Sequence, residues 1–251
     1  MQHTTIVVPC YNEAARFDFA AFRRFLDSPL SSGARLLLVD DGSGDDTLAM
    51  LQALAAERPD QVGVLVLERN QGKAEAVRRG MLEAMHHGTF VGFWDADLAT
   101  PLEAIPAFLA ILDSEPEVQW VFGARVGLLG RHIQRRMRRH YSGRAFATCV
   151  SLVLDLPVYD TQCGAKLFRI DPALHAVLER PFRSRWIFDV EMIARLKVFI
   201  AGNAPPLAQR IYELPLMRWT DVAGSKVRGR DFVRAVRELA AIWWWLRRAR
   251  R

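Results

Sequence analysis

Five short apolar runs within the first 125 residues constrain the fold more than any other feature of the chain. They are TTIVV (4–8), RLLLV (35–39), VGVLVL (62–67), FVGFW (90–94) and WVFGA (120–124). Each is too short for a helix and rich in branched side chains. None alternates apolar with polar, so both faces are buried, as in parallel strands covered on either side. Helical stretches separate them: Ala14–Leu26, Asp45–Arg58, Lys73–His86 and Leu102–Asp113. Asp45 or Asp46 and Pro101 suit helix starts. Strand–helix alternation of this kind predicts an α/β fold with a doubly wound, mostly parallel sheet. Ligands of such sheets lie beyond the carboxyl ends of the strands, where the strand order reverses.

Every one of the five runs is followed by a polar cluster, in order PCYNE, DDGS, ERNQGK, DAD and GAR. Solvated loops need no such agreement, so the five clusters are expected to converge on one crevice. Asp95 and Asp97, two carboxylates at i and i+2 after a buried strand, suit a hard divalent cation, magnesium or manganese, with substrate phosphates completing the shell. Asp40 and Asp41 either cap the helix that follows or hydrogen-bond the imide N–H of a base. Gly72 allows close backbone approach and Lys73 is placed to reach a phosphate. A Walker loop is excluded, because position 67 is Leu rather than Gly and position 74 is Ala rather than Ser or Thr.

Beyond residue 130 the rhythm fades. Residues 131–156 begin basic and become apolar, 160–170 look strand-like, 189–200 helical, and 230–251 form a terminal amphipathic helix. No apolar run approaches the ~20 residues that span a bilayer. No repeat or linker interrupts the chain. It reads as one domain over 1–251, with residues 1–125 as the ligand-binding half and 126–251 as an elaboration. Three widely spaced cysteines and no basic-then-apolar leader point to a cytoplasmic protein.

The net charge of +6 is uneven. Residues 125–144 hold seven Arg and no acid, and 226–251 carry a surplus of seven, leaving −8 elsewhere. Such patches face nucleic acid, phosphate-bearing ligands or an anionic bilayer. A nucleic-acid surface interleaves basic residues with stacking aromatics along its length and leaves the five strand-end clusters unexplained, so it is disfavoured.

Taken together, PCYNE, DDGS, NQGKAEAVRRG, DADLATP and GAR, in that order and spacing, resemble glycosyltransferase family 2. DTQCGAKLF (160–168), RWIFDVE (185–191) and DVAGSKV (221–227) are similar to its dolichyl-phosphate glucosyltransferase and mannosyltransferase branch, nearer the glucosyl type. The resemblance implies a nucleotide-diphospho-sugar transferase sheet of the GT-A type with C-terminal amphipathic helices, and an inverting transfer from a nucleotide-sugar donor. By position, Pro9, Tyr11, Glu13 and Asp41 line the nucleotide pocket with Asp40 beside them and Lys73 near. Asp95 and Asp97 hold Mg2+ or Mn2+, Asp97 counting also among the catalytic residues. The mannosyl branch often has Gln two residues after the second Asp, where this chain has Ala99.

A lipid-phosphate acceptor is anionic and needs no strong base, whereas a sugar hydroxyl needs one, for which Asp189 is the candidate. Asp189 and Glu191 otherwise cap their helix. Guanidinium groups pair bidentately with phosphate, so Arg125, Arg131 and Arg139 are the candidates for a polyprenyl-phosphate acceptor. Lys226 resembles a loop residue closing over the donor diphosphate. In the last helix, Phe232, Val236, Leu239, Trp243 and Leu246 define one apolar face. That face either packs on the domain or lies in an anionic membrane interface, giving peripheral attachment at the inner face of the cytoplasmic membrane.

Overall fold

The computed structural model describes residues 4–134, 137–202, 204–222 and 229–249, the side chains of 87, 137–142 and 229–233 excepted. The five apolar runs form strands β1 (Thr4–Cys10), β2 (Ala34–Asp40), β3 (Val62–Val66), β4 (Phe90–Trp94) and β5 (Trp120–Ala124). Helices α1 (Phe19–Leu26), α2 (Thr47–Glu57), α3 (Lys73–Ala84) and α4 (Ile105–Ser114) alternate with them. Helix α1 begins later than the apolar pattern predicts, because Asp18 caps it by accepting from the Ala21 N–H. At α2, Oδ1 of Asp45, rather than a side-chain oxygen of Asp46, accepts from the Thr47 N–H and hydroxyl.

A short strand β6 (His132–Gln134) and the long helix α5 (Met137–Leu154) precede β7 (Ala165–Arg169). Helices α6 (Pro172–Leu178), α7 (Phe188–Phe199) and α8 (Leu207–Arg210) lead to β8 (Ile211–Pro215), β9 (Arg218–Thr220) and α9 (Gly229–Ala249). The main sheet runs β3-β2-β1-β4-β7-β5-β8, and β6 pairs with β9 separately. All pairings in the main sheet are parallel except those of β7, which lies antiparallel between β4 and β5. The order reverses at β1, flanked by β2 on one side and β4 on the other.

Period-two alternation divides the strand residues between two cores. Ile6, Val8, Leu36 and Leu38 pack under α1, α2 and α4. Val7, Leu37 and Val39 face α3, α5, α7 and α9 on the other side. Burial on both faces is what makes these runs read as unbroken apolar stretches.

Helix α9 departs from the expected face. It packs on α5 and α7 through Ala235, Leu239, Ile242 and Leu246, each less than a tenth exposed. Val236, Trp243 and Trp244 point outward. The apolar stripe is therefore wider than one face, and the helix both docks on the domain and presents aromatic side chains. Among the described residues, no helix is long and apolar enough to cross a membrane.

Candidate active site

A cavity of about 420 Å3 opens at the carboxyl ends of β1, β2 and β4, at the reversal of strand order. Pro9, Cys10 and Tyr11 form one wall where β1 ends. Asp41 follows β2, and Gly72 and Lys73 open α3. Asp95, Ala96 and Asp97 follow β4.

Each wall has a local cause. Gly72 takes φ of +91° at the start of α3, a conformation that favours glycine. Its N–H and that of Gln71 donate to the two Asp41 oxygens at 2.8 and 2.7 Å, tying the loop before α3 to the end of β2. Burial lifts the Asp41 carboxyl above its usual range, against the pull of those two amide bonds. Asp41 is thus held in the wall as an oriented acceptor. Its neighbour Asp40 is buried, accepts from the Ser43 N–H at 3.2 Å and lies beneath the cavity rather than on its surface.

The chain after β4 turns at Leu98, whose φ is +50°. The Leu98 N–H donates to the Asp95 carbonyl at 3.1 Å, and Asp97 accepts from the Ala99 N–H at 3.1 Å. Both carboxylates then face one space. Burial, with the charge of Asp95 added, raises the Asp97 carboxyl above its ordinary value. Lys73 Nζ stands 2.5 Å from Asp95 Oδ1. On the far wall Arg16 pairs with Glu13, which is itself buried and so holds the guanidinium in place. Arg16 carried no signal of its own, lying in a stretch read as helix. The cavity is therefore lined by two cations, Lys73 and Arg16, and four carboxylates, Glu13, Asp41, Asp95 and Asp97.

Strand β7 supplies what sequence reading missed. Because it runs antiparallel to β4, with Trp94 opposite Ala165, its first turn arrives where β4 ends. The Gly164 carbonyl accepts from the Asp95 N–H at 2.9 Å. A Cβ at position 164 would lie 1.9 Å from Asp95 Oδ2, so only glycine leaves the carboxylate its room. The glycine within QCGAKLF was the available signal.

Asp95 and Asp97 offer the hard oxygen donors that Mg2+ or Mn2+ takes. Among the described residues, no third acidic, His or Cys side chain completes a metal cluster with them. Two carboxylates fit an ion that draws its remaining ligands from a diphosphate and water.

Other expected residues lie elsewhere. Arg125 makes a bidentate pair with the buried Asp160, at 2.6 and 2.7 Å, and sits over the Trp219 ring. Its fork is thereby engaged, so Asp160 competes with any phosphate for it. Asp189 is buried off the cavity wall and pairs at 2.6 Å with Lys166, which is fully buried on β7. That pairing engages the carboxylate away from the residues that line the cavity. Arg131 flanks an exposed turn beyond β5. Arg139 falls in α5 with its side chain outside the described residues, and Lys226 lies wholly outside them.

A mostly parallel sheet with a carboxylate pair and flanking cations at its switch point suits a diphosphate-bearing ligand bound with a divalent cation, without a Walker loop. The model of glycosyl transferase family 2 matches residues 5–173, and the chain belongs to that family. A dolichyl-phosphate beta-glucosyltransferase of Drosophila melanogaster is 31% identical over 95% of this chain and 76% of its own length. An undecaprenyl-phosphate 4-deoxy-4-formamido-L-arabinose transferase of Shewanella sediminis is 30% identical over 73% of this chain and 53% of its own. Among solved structures, glucosyl-3-phosphoglycerate synthase of Mycobacterium tuberculosis, in complex with Mn2+ and UDP-glucose, superposes with a TM-score of 0.67. It is 21% identical and aligns over 97% of this chain and 79% of its own. A Pyrobaculum calidifontis mannosyltransferase in complex with GDP-mannose and Mn2+ gives 0.63 at 19% identity, over 98% and 64%. The fold is the GT-A type.

Proposed function

We propose that the chain transfers a hexose, glucose from UDP-glucose, onto a polyprenyl phosphate at the inner face of the cytoplasmic membrane. The observation that carries this is the cavity in which Asp95 and Asp97 stand between Lys73 and Arg16. Mixed charge of that kind suits a nucleoside diphosphate bound with a divalent cation, and the named relatives act on dolichyl and undecaprenyl phosphates.

Pro9, Tyr11 and Asp41 are the wall against which a base and ribose rest, Tyr11 standing half-exposed at the rim. Lys73, in a partly exposed pair with Asp95, is the cation that reaches the diphosphate, and Arg16, engaged by Glu13, adds positive charge to the wall. A divalent cation on Asp95 and Asp97 would neutralise the charge developing on the leaving nucleoside diphosphate. The acceptor phosphate oxygen attacks the anomeric carbon as the bond to the diphosphate breaks, inverting that centre. The attacking oxygen is already anionic, so no protein base is required, in keeping with the burial of Asp189 against Lys166. Lys226 would close over the donor, and Arg125, once released from Asp160, Arg131 and Arg139 are the candidates for the acceptor phosphate. Val236, Trp243 and Trp244, outward on α9 beside Arg247 and Arg248, suit a peripheral hold on an anionic bilayer.

The test is transfer itself. Labelled UDP-glucose or GDP-mannose is supplied with Mg2+ or Mn2+ and undecaprenyl phosphate, and the mixture is extracted with organic solvent. Label from UDP-glucose in the lipid phase is the expected result. Label from GDP-mannose alone would change the sugar, and transfer only to a saccharide hydroxyl would overturn the acceptor.

A further inference from the structure

The turn between β5 and β6 is a rigid tongue with an apolar tip. Leu129 is fully exposed at 104%, Leu128 at 49% and Met217, beside them, at 63%. Backbone bonds fix the turn: the Leu128 N–H donates to Val126 and the Arg131 N–H to Leu128, both at 3.1 Å. The His132 N–H donates to the Met217 carbonyl at 2.9 Å, which brings Met217 against the base of the turn. Strands β6 and β9 pair in parallel behind it, and Trp219 of β9 is buried beneath Arg125. A loop tied down this way does not fold its leucines inward, so their exposure is built into the backbone.

Two further facts say what covers the tip. The tongue is anchored to the donor site, since the Thr220 N–H donates to the Ala99 carbonyl at 3.0 Å, two residues past Asp97. Its flanks are basic: residues 125–134 hold no acid, Arg131 stands at the base of the turn, and exposed Arg218 pairs across from His132, whereas Arg125 is turned inward onto Asp160. Apolar residues collared by guanidinium groups match a bilayer of acyl chains beneath anionic headgroups. A soluble protein groove needs no such collar.

We infer that the tip formed by Leu128, Leu129 and Met217 inserts into an anionic bilayer, seating the mouth of the donor cavity at headgroup depth. This rests on the polyprenyl-phosphate reading, because such an acceptor presents its phosphate at that depth while its chain stays among the acyl tails. The tongue thus delivers the enzyme to its acceptor without touching the donor.

The experiment compares the full chain with the L128S/L129S variant in two assays. In cosedimentation with vesicles of anionic phospholipid containing undecaprenyl phosphate, the variant loses binding by at least about tenfold, the effect of withdrawing two leucines from a lipid phase. Transfer to vesicle-borne acceptor falls in step. Transfer to a short, water-soluble prenyl phosphate stays within about twofold, since donor site and chemistry are intact. Unchanged vesicle binding, or an equal loss with both acceptors, overturns the inference. A parent chain that transfers to neither acceptor refutes the acceptor assignment instead, and vesicle binding by the two proteins still decides the tongue.

Discussion

Lysine 166 is the most informative place to perturb the fold beneath the site. Its ammonium is fully buried, 2.6 Å from Asp189 Oδ1 and 2.6 Å from the Cys163 carbonyl, with the Phe93 and Phe122 rings each 5.1 Å away. Both partners are buried, so Lys166→Met leaves the Asp189 charge buried without its counter-ion. Losing one partner of such a pair costs about 3–5 kcal/mol. For a chain of this size that lowers Tm by about 6–20 °C. Replacing both partners with apolar groups removes the stranded charge, so K166M/D189L recovers most of the loss, with a coupling of about 2 kcal/mol or more. Urea unfolding of the parent, both single variants and the double variant gives the cycle directly. Single variants that each cost less than about 1 kcal/mol and simply add would refute the reasoning. The pair would then be wetter than its burial indicates.

Three other outcomes follow from the same geometry. Gly164→Ala forces a methyl group into the Asp95 carboxylate; Mn2+ affinity measured by electron paramagnetic resonance should fall about tenfold or more with Tm little changed, and unaltered affinity would mean the loop yields freely. Asp97→Asn keeps the shape and the Ala99 contact but removes half the carboxylate charge of the pair, so transfer should drop about a hundredfold or more without unfolding. Glu213 accepts from the Tyr159 and Asp160 amides, and burial, with the charge of Asp160 added, holds its carboxyl above the ordinary 4.5. The folded state then binds this proton more tightly than the unfolded chain, so stability is lost as pH rises from 4.5 through the folded value. Urea midpoints of Glu213→Gln across that window should lack this part of the slope, and identical slopes would remove Glu213 as its source.

The sheet and the donor half of the site were legible because local chemistry and global position agree there. Runs such as FVGFW are apolar on both faces only because two layers of helix cover them, and the polar cluster after each strand is carried to one end by parallel order. Asp95, Asp97, Lys73 and Tyr11 could therefore be placed together before any coordinates were known. Residues whose role depends on chain reversal were not legible. Gly164 meets Asp95 across 69 positions of sequence only because β7 enters antiparallel between β4 and β5. Nothing in the local pattern of β7 announces its direction. The Lys166–Asp189 pair was likewise not legible: Asp189 read as a candidate base or a helix cap, and burial of a pair is a property of what packs over it. On α9, the expected face with Val236 and Trp243 differs from the packed one, because the apolar stripe is broader than one helical face and Ala235 and Ile242 dock beside Leu239 and Leu246.

The ion pair between Lys73 and Asp95 shows how the site can be both satisfied and ready. Burial first, and then the charge of Asp95 beside it, raises the Asp97 carboxyl, so the two carboxylates repel each other across the site. Lys73 relieves that repulsion while the cavity holds no donor. The pair is nonetheless exchangeable, because the Lys73 side chain is 43% exposed and that of Asp95 34%. Ion pairs as open as this contribute about 0–1 kcal/mol. On the proposed function, a donor diphosphate bound with a cation would take the place of Lys73 at Asp95 and offer the freed ammonium a phosphate oxygen in return, an exchange close to neutral in charge. Had the same lysine been as buried as Lys166, releasing it would cost several kcal/mol and weaken donor binding by orders of magnitude. One buried Lys–Asp pair holding the floor, and one exposed pair at the mouth, divide stability from turnover within a single cluster of charges.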